Sequence, residues 1–161
     1  MKKLVLLAVA IAGVASAETY TVTVGSGLSS YVNPNPFGYV SLSSPISKDT
    51  SSVGTVEMYG RQTKLRLGLS HTLYTKGGVS LSAVSDAGVA TTGANVGLDV
   101  SAGVGVKVKA TSIPLLKDCP KADKMGLAFD AKLHKTSIGN PDGTRGVQPS
   151  FSGGLYMAFG K

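Results

Sequence analysis

The sequence predicts an all-β chain, an antiparallel up-and-down β-barrel of about eight strands, on three observations. The first is an unbroken alternation over residues 96–110. Val96, Leu98, Val100, Ala102, Val104, Val106, Val108 and Ala110 share one side, and Gly97, Asp99, Ser101, Gly103, Gly105, Lys107 and Lys109 share the other. Side chains of a strand point to opposite faces in turn, so this is a strand with one oily and one polar face. It far exceeds the roughly five or six residues usual in soluble strands. The second observation is an export signal: a basic Met1-Lys2-Lys3 start, an apolar stretch over 4–14, and a small-residue cleavage site at Ala15-Ser16-Ala17. The third is composition. Only 16% of residues are charged, against about 25% in ordinary soluble domains, and the mean hydropathy is positive despite abundant Ser, Thr and Gly.

Each segment supports this class in turn. The apolar stretch at 4–14 falls well short of the roughly 20 residues that a spanning helix needs, so residues 1–17 read as a cleaved signal. Glu18 stands where a lipid-bearing cysteine would be required, which disfavours a lipoprotein. One domain is expected over 18–161. Tyr20, Val22 and Val24 alternate with Thr19, Thr21 and Thr23 in a first strand. Asn33-Pro34-Asn35-Pro36 marks a loop, because each proline removes a ladder donor and restricts its predecessor. Strands are expected at 37–43 and 53–60, joined by a polar connection.

Over 64–75, Leu65, Leu67, Leu69, His71 and Leu73 share a face opposite Lys64, Arg66, Gly68, Ser70 and Thr72. Val79, Leu81 and Ala83 continue the odd-numbered oily face. Matching faces across the hairpin requires an odd loop, which Lys76-Gly77-Gly78 supplies. The oily face then switches from odd numbers through Val89 to even numbers from Val96, so the next loop should be even and centred on Thr92-Gly93. A hairpin at Ser101-Ala102-Gly103 would also preserve parity and raise the strand count. After a long connection with Pro114, Cys119 and Pro120, Met125, Leu127, Phe129, Ala131 and Leu133 alternate with Asp130, Lys132 and His134. Asn140-Pro141-Asp142-Gly143 is a turn signal. Phe151, Leu155, Met157 and Phe159 close the chain at period two.

A bilayer cannot hydrogen-bond an open strand edge, so a spanning sheet must close. At eight strands the interior is just wide enough to be filled by side chains, giving a plug-like scaffold with charges inward and Val, Leu and Ala toward lipid. Tyr20, Tyr59, Tyr74, Phe151 and Phe159 fall near strand ends, where aromatic rings favour the membrane boundary. The alternative is a soluble exported β-sandwich, a binding or surface-assembly module with its oily faces packed between two sheets. In these features the chain resembles small bacterial outer-membrane β-barrel proteins, including the eight-stranded adhesion and structural barrels. The resemblance implies an outer-membrane scaffold or interaction protein. Two features depart from it: Gly160-Lys161 follow the last aromatic, and two long connections, 111–124 and 136–148, are consecutive.

Little in the sequence points to catalysis, and no cofactor is expected. His71 and His134 are the only histidines. Ser70 and His71 face opposite ways on one strand, and His134 would meet Ser137 only if the strand ended between them, so no complete nucleophile, base and acid set appears. One cysteine and two distant histidines make a poor zinc set, and no helix follows the glycines to form a phosphate loop. Without the signal, fourteen cations face nine carboxylates, a net +5, which suits outer-membrane lipid, lipopolysaccharide phosphates or other envelope proteins. Scattered cations, the lack of a binding motif and the export signal exclude nucleic acid. Cys119, a single cysteine flanked by lysines in a loop, is a candidate reactive thiol or intermolecular bridge, or else an unpaired loop residue.

The hairpin parities place specific charges. A turn centred on Thr92-Gly93 puts Asp86 opposite Asp99, and a hairpin centred on Gly77 puts Asp86 opposite Gly68 with Arg66 on the diagonal. Two inward carboxylates require a cation, and the Arg66 guanidinium can span both. An interior Asp86–Arg66–Asp99 cluster that stabilises the barrel is therefore expected.

Overall fold

A computed structural model describes residues 19–30, 34–93, 95–139 and 145–160. Eight strands follow one another: β1 Thr19–Ser29, β2 Asn35–Pro45, β3 Thr50–Tyr59, β4 Thr63–Lys76, β5 Val79–Thr92, β6 Asn95–Lys109, β7 Met125–Thr136 and β8 Val147–Gly160. Each pairs antiparallel with its sequence neighbours, and β1 pairs with β8 to close the barrel. Closure leaves no sheet edge, and so replaces the alternative two-sheet sandwich. The strands run from 10 to 15 residues, enough to cross a bilayer when tilted. The expected signal at 1–17, and the turn at Asn140-Pro141-Asp142-Gly143, lie outside the described residues, as does part of the loop at Asn33-Pro34.

The alternation does what its chemistry requires. Leu98, Val100 and Val104 of β6 are exposed on the outer wall, while Asp99 and Ser101 between them are buried in the lumen. Leu67 and Leu69 of β4 likewise face out, with Arg66 inside. Strand β6 runs unbroken through 101–103, so no hairpin forms there. The two long connections leave from opposite ends of the barrel and are compatible with closure: the β6–β7 connection shares a rim with the start of β1 and the end of β8, and β7 ends and β8 begins at the far rim.

The β4–β5 hairpin differs in detail from the expected odd loop. Gly77 and Gly78 alone form the turn, with φ of 58° and 79°, the left-handed pair that a two-residue hairpin demands. A bulge between Thr72 and Tyr74 absorbs the extra residue. Beyond it the register is the expected one, with Gly68 opposite Asp86. The β5–β6 turn sits one position later than expected. Thr92 pairs with Asn95, so Asp99 faces Gly88 and Asp86 faces Ser101. Asp86 and Asp99 are therefore not directly opposed.

Tyr20 and Phe159 stack across the β1–β8 seam with centroids 5.2 Å apart, and Tyr74 and Phe151 are exposed on the outer wall. Tyr59 departs from the expected boundary ring. It shares a face with Glu57 and is buried in the lumen with Phe37 and Tyr39.

The lumen is narrow, and glycine makes it possible to fill it with large side chains. Gly25 faces Tyr39, Gly27 faces Phe37, Gly88 faces Arg66 and Gly103 faces Lys132. A Cβ on Gly88 would collide with the carbonyl oxygen of Leu65, and one on Gly103 with that of Ala131. These are backbone atoms that cannot step aside. Gly88→Ala is expected to cost about 1–3 kcal/mol through overpacking, seen as a lower urea midpoint in lipid. Gly93→Ala, whose Cβ meets nothing within 4 Å, tests the backbone conformation alone, because it has a φ of 58°.

Candidate functional site

The lumen holds a chain of ion pairs built from five strands. Arg66 of β4 is the hub. Its Nη2 contacts Glu57 Oε1 of β3, its Nη1 lies 3.2 Å from Asp86 Oδ1 of β5, and its Nε lies 3.5 Å from Asp99 Oδ2 of β6. Arg66 is 1% exposed and Asp99 0%. The structure thus brings Arg66, Asp86 and Asp99 together, by way of Arg66 and without a direct Asp–Asp rung. Planar guanidinium donors suit this three-way arrangement, which a point charge could not satisfy as well.

The network extends beyond the three residues singled out in the sequence. Lys64 Nζ lies 3.0 Å from Asp99 Oδ1 and 2.9 Å from His134 Nδ1. Lys132 Nζ lies 2.9 Å from Asp86 Oδ2, and Ser101 Oγ donates to Asp86 Oδ1 at 2.6 Å. Tyr59 donates its hydroxyl to Glu57 Oε2 at 3.0 Å, and Lys64 stands over the Tyr59 ring at 5.3 Å. With Lys107 and Asp130, also inward by register, four cations face four carboxylates among the described residues within the lumen, while Lys109 of the same face is exposed at the rim. The lumen is balanced in charge. Burying so many ions is costly, and mutual pairing offsets the cost only while every partner is present.

Beside the network, toward the rim where β1 starts and β8 ends, a cavity of about 60 Å³ remains, lined by groups such as Thr23, Ser41, Thr55, Lys107, Asp130 and Ser152. It has room for a few waters. The remaining candidates are dispersed. His71 faces outward and shares a hydrogen bond with Thr50 Oγ1 at 2.9 Å. Ser137 Oγ accepts from the Leu98 amide at 2.9 Å, while His134 points into the lumen toward Lys64. The two do not meet. Cys119 is a free, half-buried thiol in the 110–124 connection. No cluster of three or more metal-ligating side chains occurs among the described residues.

No protein-family model matches the sequence, and no curated protein matches it. Solved structures do match, over nearly the whole barrel. Neisserial surface protein A superposes with a TM-score of 0.60 at 13% identity, covering 89% of this chain and 98% of that one. The fold is that of a small outer-membrane β-barrel. A de novo designed transmembrane β-barrel matches at 0.55 and 11% identity, again covering 89% and 98%. The Yersinia pestis outer membrane protein Ail, determined in a phospholipid bilayer nanodisc, matches at 0.50 and 11%, covering 88% and 99%. At such identities the likeness concerns architecture: strand number, order and closure.

Proposed function

We propose that the protein is a non-enzymatic outer-membrane barrel that serves as an envelope scaffold or interaction protein. The observation that carries this reading is the combination of an apolar outer wall with a lumen filled by paired charges. Such a barrel is a rigid support for its connections and is closed to solutes. Its partners are outer-membrane lipid, with lipopolysaccharide or another envelope protein engaged at the exposed loops.

Fractionation followed by electrophoresis with and without heating tests the location and fold together. The protein is expected in the outer-membrane fraction, with a folded band that shifts on boiling. In planar bilayers it is expected to give no steady conductance. A clean monomer in detergent-free buffer, or a stable open channel, would contradict the reading.

A further inference from the structure

The connection between β6 and β7, residues 110–124, has a fold of its own. A 3-10 turn at Ala110–Ser112 leads into successive turns, closed by the amides of Leu116, Cys119 and Ala122 donating to the carbonyls of Ile113, Leu116 and Cys119 at 2.9, 3.1 and 3.1 Å. Both flanks are tied to the rim. Ser112 Oγ donates to the Gly77 carbonyl at 2.7 Å, and the Ala158 amide donates to the Lys124 carbonyl at 2.6 Å. The segment is therefore anchored at the rim on both sides, to the β4–β5 turn at one flank and to the end of β8 at the other.

What it presents is amphipathic. Ile113-Pro114-Leu115-Leu116 is an apolar run, with Leu115 92% exposed, and exposed Lys109, Lys117 and Lys121 flank it. Asp118 and Asp123 only partly offset these lysines and Lys124. Val108 of β6 and Phe159 of β8 lie on the outer wall at this same rim, so in a membrane the connection sits at the level of the headgroups. Apolar side chains beside cations are the composition that settles into a headgroup layer, with lysine stems lying along apolar surface and ammonium groups at the phosphates. Anionic lipid attracts such clusters at short range.

We propose that the 110–124 connection binds anionic phospholipid headgroups, seating Leu115 in the membrane interface and placing Lys117 and Lys121 against the phosphates. The assignment rests on the membrane-barrel reading, and it gives that barrel a lipid preference at one rim.

The sequence contains no tryptophan, so Leu115→Trp adds a unique reporter. The full-length variant is placed in nanodiscs of phosphatidylcholine alone, of phosphatidylcholine with about one-third phosphatidylglycerol, and of phosphatidylcholine with lipopolysaccharide, each with brominated chains. Blue-shifted emission and bromine quenching are expected, with quenching at least twofold greater when phosphatidylglycerol is present. Lys117→Gln with Lys121→Gln should remove that increment while the heat-shifted band stays intact. Water-like emission without quenching in every disc, equal quenching with and without phosphatidylglycerol, or an increment with lipopolysaccharide alone would each overturn the assignment. Failure of the protein to enter nanodiscs or to show a folded band would instead overturn the barrel reading beneath it.

Discussion

Arg66→Met is expected to lower the unfolding free energy by about 3–5 kcal/mol, the cost of stripping a buried charge network of one partner. Methionine keeps much of the volume but leaves Glu57, Asp86 and Asp99 without the cation that contacts all three. Lys64 and Lys132 remain, yet each already serves one of these carboxylates, so neither can replace the hub. Urea titration of the folded barrel in lipid reads the loss. Adding Glu57→Gln to Arg66→Met should recover part of it, because Asp99 keeps Lys64 and Asp86 keeps Lys132, while Glu57 has no other cation among its ion pairs. Residues in one network couple strongly, and a recovery of this kind measures that coupling. An Arg66→Met protein with an unchanged urea midpoint would show that the ion pairs do not hold the lumen together.

Val104→Arg, near the middle of β6 on the outer wall, is expected to cost about 2–4 kcal/mol in a bilayer, and Leu98→Arg nearer the strand end clearly less. Both positions are outward and exposed, so on a water-facing surface neither change would matter much. The penalty comes from placing a guanidinium in hydrocarbon, and it falls as the side chain nears the headgroups. Unfolding in lipid vesicles measures the pair. Equal, small effects at the two sites would argue that the outer wall meets water.

Most of the architecture was legible because side-chain alternation has a period of two. Parity alone assigned Val104 to one face and Asp99 to the other; the count of eight needed the turn signals as well, since a hairpin at Ser101-Ala102-Gly103 would have kept parity, and the unbroken β6 decides against it. Parity does not fix register, since sliding a strand by two residues leaves every face unchanged. That is why Asp99 was expected opposite Asp86 and is found opposite Gly88. An odd loop and a two-residue turn with a bulge also absorb the same extra residue, so Gly77-Gly78 and the bulge near Leu73 could not be told from a three-residue loop.

The luminal site was legible in part. Arg66, Asp86 and Asp99 lie on consecutive strands, within reach of hairpin arithmetic. Lys64 and His134 meet across the lumen from β4 and β7, 70 residues apart in sequence. Only the closed wall brings them together, and no pairing of sequential strands encodes it. Glu57 and Tyr59 were within reach in principle. Their odd-numbered positions place them with Thr55 on the inner face of β3, a signal too short in a Ser- and Thr-rich strand to read without its neighbours.

The most direct test of the central claim is a spin-label accessibility scan of the even positions 96–108. Single nitroxides are introduced into a Cys119→Ser background in phospholipid bilayers. A closed barrel with its oily face toward lipid predicts high accessibility to dissolved oxygen and low accessibility to a water-soluble nickel chelate, with the contrast greatest near Ala102 and Val104. Labels shielded from both reagents, as they would be between the packed sheets of a soluble sandwich, would contradict it.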